Sequence, residues 1–149
     1  MGERGVIGQY PGGTAWYLAS GWTFIDPNVP AQSRGRILTW DLHVHGAGTF
    51  KIKIFRDDGT NFVFIAEKSL YLAVGSKTGN TWGIAVEKGD LIALYSSSGT
   101  PYLSADAGFN YYAKHEDVTT TTLQSSWTTW PGLSVNLRGH IFSKGGIIL

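Results

Sequence analysis

Between Leu38 and Arg56 the chain alternates apolar and polar residues twice, on either side of a glycine loop. Leu38, Trp40, Leu42 and Val44 interleave with Thr39, Asp41, His43 and His45. After Gly46-Ala47-Gly48, Phe50, Ile52 and Ile54 interleave with Thr49, Lys51 and Lys53. A period of two sends successive side chains to opposite faces, so each run is a strand with one face for a core. The glycine loop predicts that the two strands form a hairpin. With His45 opposite Thr49, Val44 meets Phe50, Leu42 meets Ile52 and Trp40 meets Ile54. The same register sets His43 opposite Lys51 and Asp41 opposite Lys53, so one alignment satisfies both faces.

The rest of the chain keeps this character. No helical period of useful length occurs, and turn signals recur at the spacing of a sandwich or barrel, helped by 20 glycines. Asp57-Asp58-Gly59-Thr60 ends the second strand, and Asn61 to Glu67 starts another, with Phe62 and Phe64 on one face and Val63 and Ile65 on the other. Leu70, Leu72 and Val74 continue the alternation, and Gly75 to Asn80 reads as a polar loop. Trp82, Ile84 and Val86 share the next apolar face. Leu91 to Ser96, Phe109 to Ala113 and Leu133 to Phe142 supply further strands. Leu123 to Trp130 suits a strand in its Thr and Trp content, and Pro131-Gly132 closes it.

The chain has 149 residues, enough for one domain with its own core. Charged residues make up only 15% and the formal charge is +1, with Lys and Arg scattered. No basic stripe forms, so neither a nucleic acid nor a membrane surface is expected as partner. The absence of cysteine removes thiolate catalysis, cysteine zinc sites and disulfides. No apolar run follows Met1-Gly2-Glu3-Arg4-Gly5, so no signal peptide is expected, and no segment is long enough to span a bilayer.

Both ends read as arms. Residues 1–13 are glycine-rich but carry Val6, Ile7 and Tyr10, and residues 145–149 are two glycines followed by Ile147, Ile148 and Leu149. The sandwich is expected over 14–144. Apolar side chains gain roughly 1.5–3 kcal/mol each on burial, so both arms are expected to dock, on another subunit or a partner lattice.

The stretch Val86-Glu87-Lys88-Gly89-Asp90-Leu91-Ile92-Ala93-Leu94 resembles a turn of jelly-roll sandwiches: an apolar strand end, two spacers, Gly-Asp, then an alternating apolar strand. Trimeric jelly rolls of the complement-C1q and tumour-necrosis-factor type carry it, as do bacterial and phage surface modules. Gly48 to Phe55 and Leu137 to Phe142 resemble the same class. The resemblance implies an all-β, single antiparallel β-sandwich of jelly-roll type with extended arms. It further implies a homotrimer, in the manner of decoration or cement proteins of phage capsids.

Candidate chemistry is sparse. Asp41-x-His43-x-His45 places two imidazoles and a carboxylate on one strand face, a set that suits Zn or Fe and is similar to the His-x-His of cupins. The glutamate that cupins carry a few residues on is replaced by Gly46-Ala47-Gly48-Thr49, so a solvated polar face is the expected reading and no metal is assigned. Asp57, Asp58 and Asn61 read as turn formers, without the spacing of a calcium loop. Tyr95-Ser96-Ser97-Ser98-Gly99 lacks the first glycine of a nucleophile elbow. His115-Glu116-Asp117 reads as an exposed loop, and no carboxylate pair fits a glycosidic bond. No enzyme activity and no cofactor are expected.

The tryptophans offer more. Trp40 and Trp82 fall on apolar faces, whereas Trp16, Trp22, Trp127 and Trp130 lie among Gly, Ser and Thr, where they can stack on sugars or anchor an interface. Trp127 and Trp130 are three apart and face opposite sides of an ideal strand. The leading expectation is a non-enzymatic, homo-oligomeric virion-surface protein. A carbohydrate-binding, extracellular module is the alternative, and a metal-dependent cupin-like enzyme comes third.

Overall fold

The computed structural model describes residues 3–8, 16–17, 20–135 and 137–142, and of residues 16–17, 76–77, 80–82, 102–109 and 133–135 the backbone alone. Its strands are β1 (Glu3–Gly8), β2 (Trp16–Tyr17), β3 (Thr23–Asp26), β4 (Gly35–Gly46), β5 (Gly48–Asp57), β6 (Asn61–Leu72), β7 (Gly75–Val86), β8 (Leu91–Ser96), β9 (Thr100–Lys114), β10 (Thr122–Leu123), β11 (Thr128–Val135) and β12 (Leu137–Phe142). One 3-10 turn, Gln124–Ser126, is the only helical element among the described residues.

The strands form two antiparallel sheets packed as a β-sandwich. The front sheet runs β1-β12-β4-β7. The back sheet runs β9-β3-β8-β5-β6-β10, with β11 and β2 also on β9. β9 belongs to both, because Thr100 and Pro101 pair with the end of β4 before the strand crosses over. The pairs nest along the chain: β1 with β12, β3 with β8, β4 with β7, and β5 with β6.

The predicted hairpin of β4 with β5 does not form. β4 pairs with β7 and β12, and β5 with β6 and β8. The faces were assigned correctly from Trp40 onward, and Trp40, Leu42, Val44, Phe50, Ile52 and Ile54 are all buried in one core. Across the register shift between Ile37 and Thr39, it is Ile37 that is fully buried and the expected Leu38 that is half-buried. The two strands meet across the sandwich instead of side by side, so Gly46-Ala47-Gly48 is a crossing between sheets. Space at that crossing is tight, and a Cβ on Gly48 would overlap the Gly99 backbone. Trp40 lies opposite Gly79 of β7, where a Cβ would overlap its ring. The expected polar loop at Gly75 to Asn80 is the first half of β7.

A second, smaller core covers the outer face of the back sheet. Ile25, Phe55, Phe62, Leu91 and Ala93 point outward there, beneath Val118 and Trp127 of the segment after β9. That cover explains why β5 is buried on both faces from Ile52 to Phe55.

Residues 3–8, the described part of the expected N-terminal arm, are not a free arm. β1 is an edge strand of the sandwich, and Ile7 is fully buried in its own chain's core. The other flank of β1 is covered by the segment after β3: Gly8 N donates to Val29 O at 2.8 Å, and Gln32 N to Val6 O at 3.2 Å. The physical reason is local, since β12 and this segment satisfy the main chain that a docking arm would offer a neighbour. The sandwich therefore includes Glu3–Gly8, which the expected boundary at residue 14 left outside it. Tyr10, Ile147, Ile148 and Leu149, the other expected docking residues, lie outside the described residues, as do the side chains of Trp16 and Trp82.

Candidate functional site

Three clusters gather the polar and aromatic side chains singled out above. The first lies on the outer face of the front sheet. His140 of β12 stands between two carboxylates, with Nε2 2.7 Å from Asp41 Oδ2 and Nδ1 3.0 Å from Glu3 Oε1. Asp41 Oδ1 accepts from Thr78 Oγ1 at 2.7 Å, and His45 Nδ1 lies 3.0 Å from Thr100 Oγ1. Asp41, His43 and His45 do share a face, as the alternation required. Asp41 is engaged by β12 and β7, not by Lys53. No group of three His, Asp or Glu side chains converges as a metal site among the described residues. The alternation along β4 does not reveal His140, because its partners Asp41 and Glu3 lie far from it in sequence.

The second cluster is aromatic. Trp22 stacks on His115 with ring centroids 4.6 Å apart and leans on Trp130 at 5.2 Å, and Phe24 and Tyr111 continue the group inward. Trp22 and Trp130 are half-buried and His115 is exposed. Trp127 faces the other way, as its spacing from Trp130 required. It is only 7% exposed, packs against Phe55 and Phe62, and donates Nε1 to Thr122 Oγ1 at 2.9 Å. A buried ring cannot meet a ligand, so Trp127 leaves the set of candidate contact residues.

The third cluster was unforeseen. Lys53, expected on a solvated face, is fully buried on the outer side of the back sheet. Its Nζ donates to Glu67 Oε1 and Asp117 Oδ1, both at 2.6 Å, and to Val118 O at 2.8 Å. These three acceptors use every ammonium proton. Lys51 Nζ donates to Asp117 Oδ2 at 2.5 Å. Burial pushes the Asp117 carboxyl up, but the hydrogen bonds and charges of Lys51 and Lys53 outweigh it and hold the group below the usual carboxylate range. The bond to Asp117 likewise raises Lys51. Thr23 Oγ1, donating to Glu116 O at 2.6 Å, pins the same loop. The signal in the sequence was Phe55, which shares a face with Lys51 and Lys53 and cannot favour open solvent.

The remaining motifs hold turns. Asp58 Oδ1 accepts from Thr60 N and Asn61 N, bonds that lower its pKa, and Asp57 Oδ1 accepts from Gly59 N. Ser96 Oγ donates to Gly99 O, and Ser98 Oγ accepts from Thr49 N at 3.1 Å.

No family model, curated protein or solved structure matches this chain.

Proposed function

We propose that the chain is a non-enzymatic jelly-roll module that works by associating with further copies of itself. The jelly-roll reading is supported by the nested pairing of eight strands, first with last and inward to β5 with β6. That is the order expected when one long hairpin is rolled into two facing sheets. The polar clusters are engaged in joining strands and loops, which supports a structural role over a catalytic one.

The observation that carries association is the open flank of the sandwich. β6 is paired to β10 only at Asn61 and Phe62, and β7 is paired only to β4 among the described residues. At the turn between them Tyr71 is 71% exposed and Val74 is 57% exposed. Long strand edges left unpaired among the described residues, beside exposed apolar side chains, are a place for another chain to add. A second copy fits because an antiparallel edge is complementary to itself. The resemblance to trimeric and phage decoration modules favours reading such assembly as a virion-surface role, where many copies would add avidity.

Light scattering of the purified chain tests this. The native mass is expected to be a small multiple of 16.2 kDa. Tyr71→Ser with Val74→Ser is expected to shift it towards one chain with unchanged circular dichroism. A wild-type protein that stays a single chain at high concentration overturns the proposal.

A carbohydrate-binding role is favoured by the Trp22, Trp130 and His115 cluster alone. Its test is glycan-array binding that Trp130→Ala abolishes while the fold persists.

A further inference from the structure

We propose that Lys53 and Asp117 join covalently, as an amide between Lys53 Nζ and Asp117 Cγ, with Glu67 carrying the proton. The bond would tie β5 to the loop after β9. It is independent of how the chain associates.

The geometry is that of a condensation held ready. Lys53 is fully buried, so its Nζ is fixed rather than sampling solvent. It lies 2.6 Å from Asp117 Oδ1 and, on its other side, 2.6 Å from Glu67 Oε1. The rings of Tyr95 and Phe64 lie 5.5 and 5.6 Å from it and exclude water. Two groups immobilised in this way react as though at very high concentration. Asp117 itself is part-exposed, 30% at the side chain, which gives the leaving water a way out.

The step balances without any co-reactant. The ion pair first passes one proton along its own hydrogen bond, leaving a neutral amine and a neutral carboxylic acid. Asp117 favours its ionised form beside Lys51 and Lys53, so this transfer is uphill and limits the rate of the step. The Nζ lone pair then attacks Cγ. The Nζ–Cγ bond forms, and negative charge develops on Oδ2, where the Lys51 ammonium already donates at 2.5 Å. Glu67 takes a second proton from Nζ and returns it to Oδ1. The Cγ–Oδ1 bond breaks and water leaves. One N–H remains on the amide, and an ammonium and a carboxylate have become a neutral group. Removing two partly desolvated charges favours the product, because buried ions carry a desolvation cost that a hydrogen-bonded amide largely avoids.

Denaturing intact-mass spectrometry of the full chain is the test, with peptide mapping. The expected mass is one water below the sequence mass, with a branched peptide joining Lys53 to Asp117. Glu67→Gln is expected to restore most of the full mass while circular dichroism stays native, and Asp117→Ala to restore all of it. A wild-type chain at full mass overturns the proposal. So does a missing water that maps within one linear peptide, as a succinimide at Asp58-Gly59 would give. If Glu67→Gln cross-links as fully and as fast as the wild type, the role of Glu67 falls.

Discussion

The Arg56 guanidinium grips the Asp90 carboxylate with two bonds, Nε to Oδ1 at 2.7 Å and Nη2 to Oδ2 at 3.0 Å. The contact joins the end of β5 to the Gly-Asp turn before β8. Asp90 is buried, and its Oδ2 also accepts from Glu87 N at 2.9 Å, so one carboxylate fixes both the turn and the neighbouring strand. Bonding to Asp90 raises the Arg56 pKa.

Asp90→Ala is therefore expected to destabilise the fold by about 1–3 kcal/mol, the usual cost of losing a buried charged acceptor. Arg56→Ala should also destabilise, because it strands a buried carboxylate, although the part-exposed guanidinium is screened by solvent. Urea unfolding measures both, and a change of a few tenths of a kcal/mol for Asp90→Ala would reject this role.

Trp40 is 4% exposed and lies in the main core. Trp40→Ala should cost about 3–5 kcal/mol, as large-to-small aromatic core changes do. A midpoint close to wild type in guanidinium would remove Trp40 from the core.

Gly79 makes room for that ring. Its φ is not in the left-handed region, so the demand is for space and not for backbone freedom. Gly79→Ala should cost about 1–3 kcal/mol through overpacking. Combining it with Trp40→Leu should recover part of the loss in a double-mutant cycle, and strict additivity would refute the contact.

Asp26 gives the stability a pH dependence of unusual sign. Its side chain is 2% exposed, Oδ1 accepts from Asn28 N and Nδ2, and Oδ2 has no partner among the described residues. The recess it shares with Phe24, Ile92, Leu94 and Leu137 has no room for a water. Burial raises the carboxyl pKa, only partly offset by the bonds from Asn28. Burial, and then the charge of Asp26, also hold the nearby Tyr111 hydroxyl above its ordinary range. A carboxyl with a raised folded pKa binds its proton more tightly in the native state. Its neutral form is tolerated below the unfolded value of 3.8, and stability falls as pH rises from there through the folded pKa. Asp26→Asn keeps the Oδ1 contacts and removes the titration. The variant should gain on the wild type as pH rises from 4 towards 7, read as the difference in urea midpoints. A constant difference across that range would reject the assignment.

The alternation in β4 and β5 was legible because it is a local property. Each side chain's face follows from the pleat, and Trp40, Leu42, Ile52 and Ile54 are buried as it demands. The turn-forming roles of Asp57, Asp58 and the Gly89-Asp90 pair were legible for the same reason, since the bonds that close each turn reach only a few residues along the chain. The further partners, Gln124 of Asp57 and Arg56 of Asp90, were not legible. Which strand sits beside which was not. An apolar face is satisfied equally by a neighbour in the same sheet or by one in the facing sheet, so the Gly46-Ala47-Gly48 loop could close a hairpin or cross the sandwich.

The polar clusters show the same limit. His140 finds Asp41 and Glu3, and Lys53 finds Asp117, across 99, 137 and 64 positions of sequence. The alternating sequence by itself determined that this chain makes strands and which residues line their faces. Only the tertiary structure decided that β4 and β5 part into opposite sheets, that Trp127 is core, and that Lys53 is sealed beneath a loop. Local sterics set side-chain direction, but burial of a second face depends on a cover arriving from far along the chain.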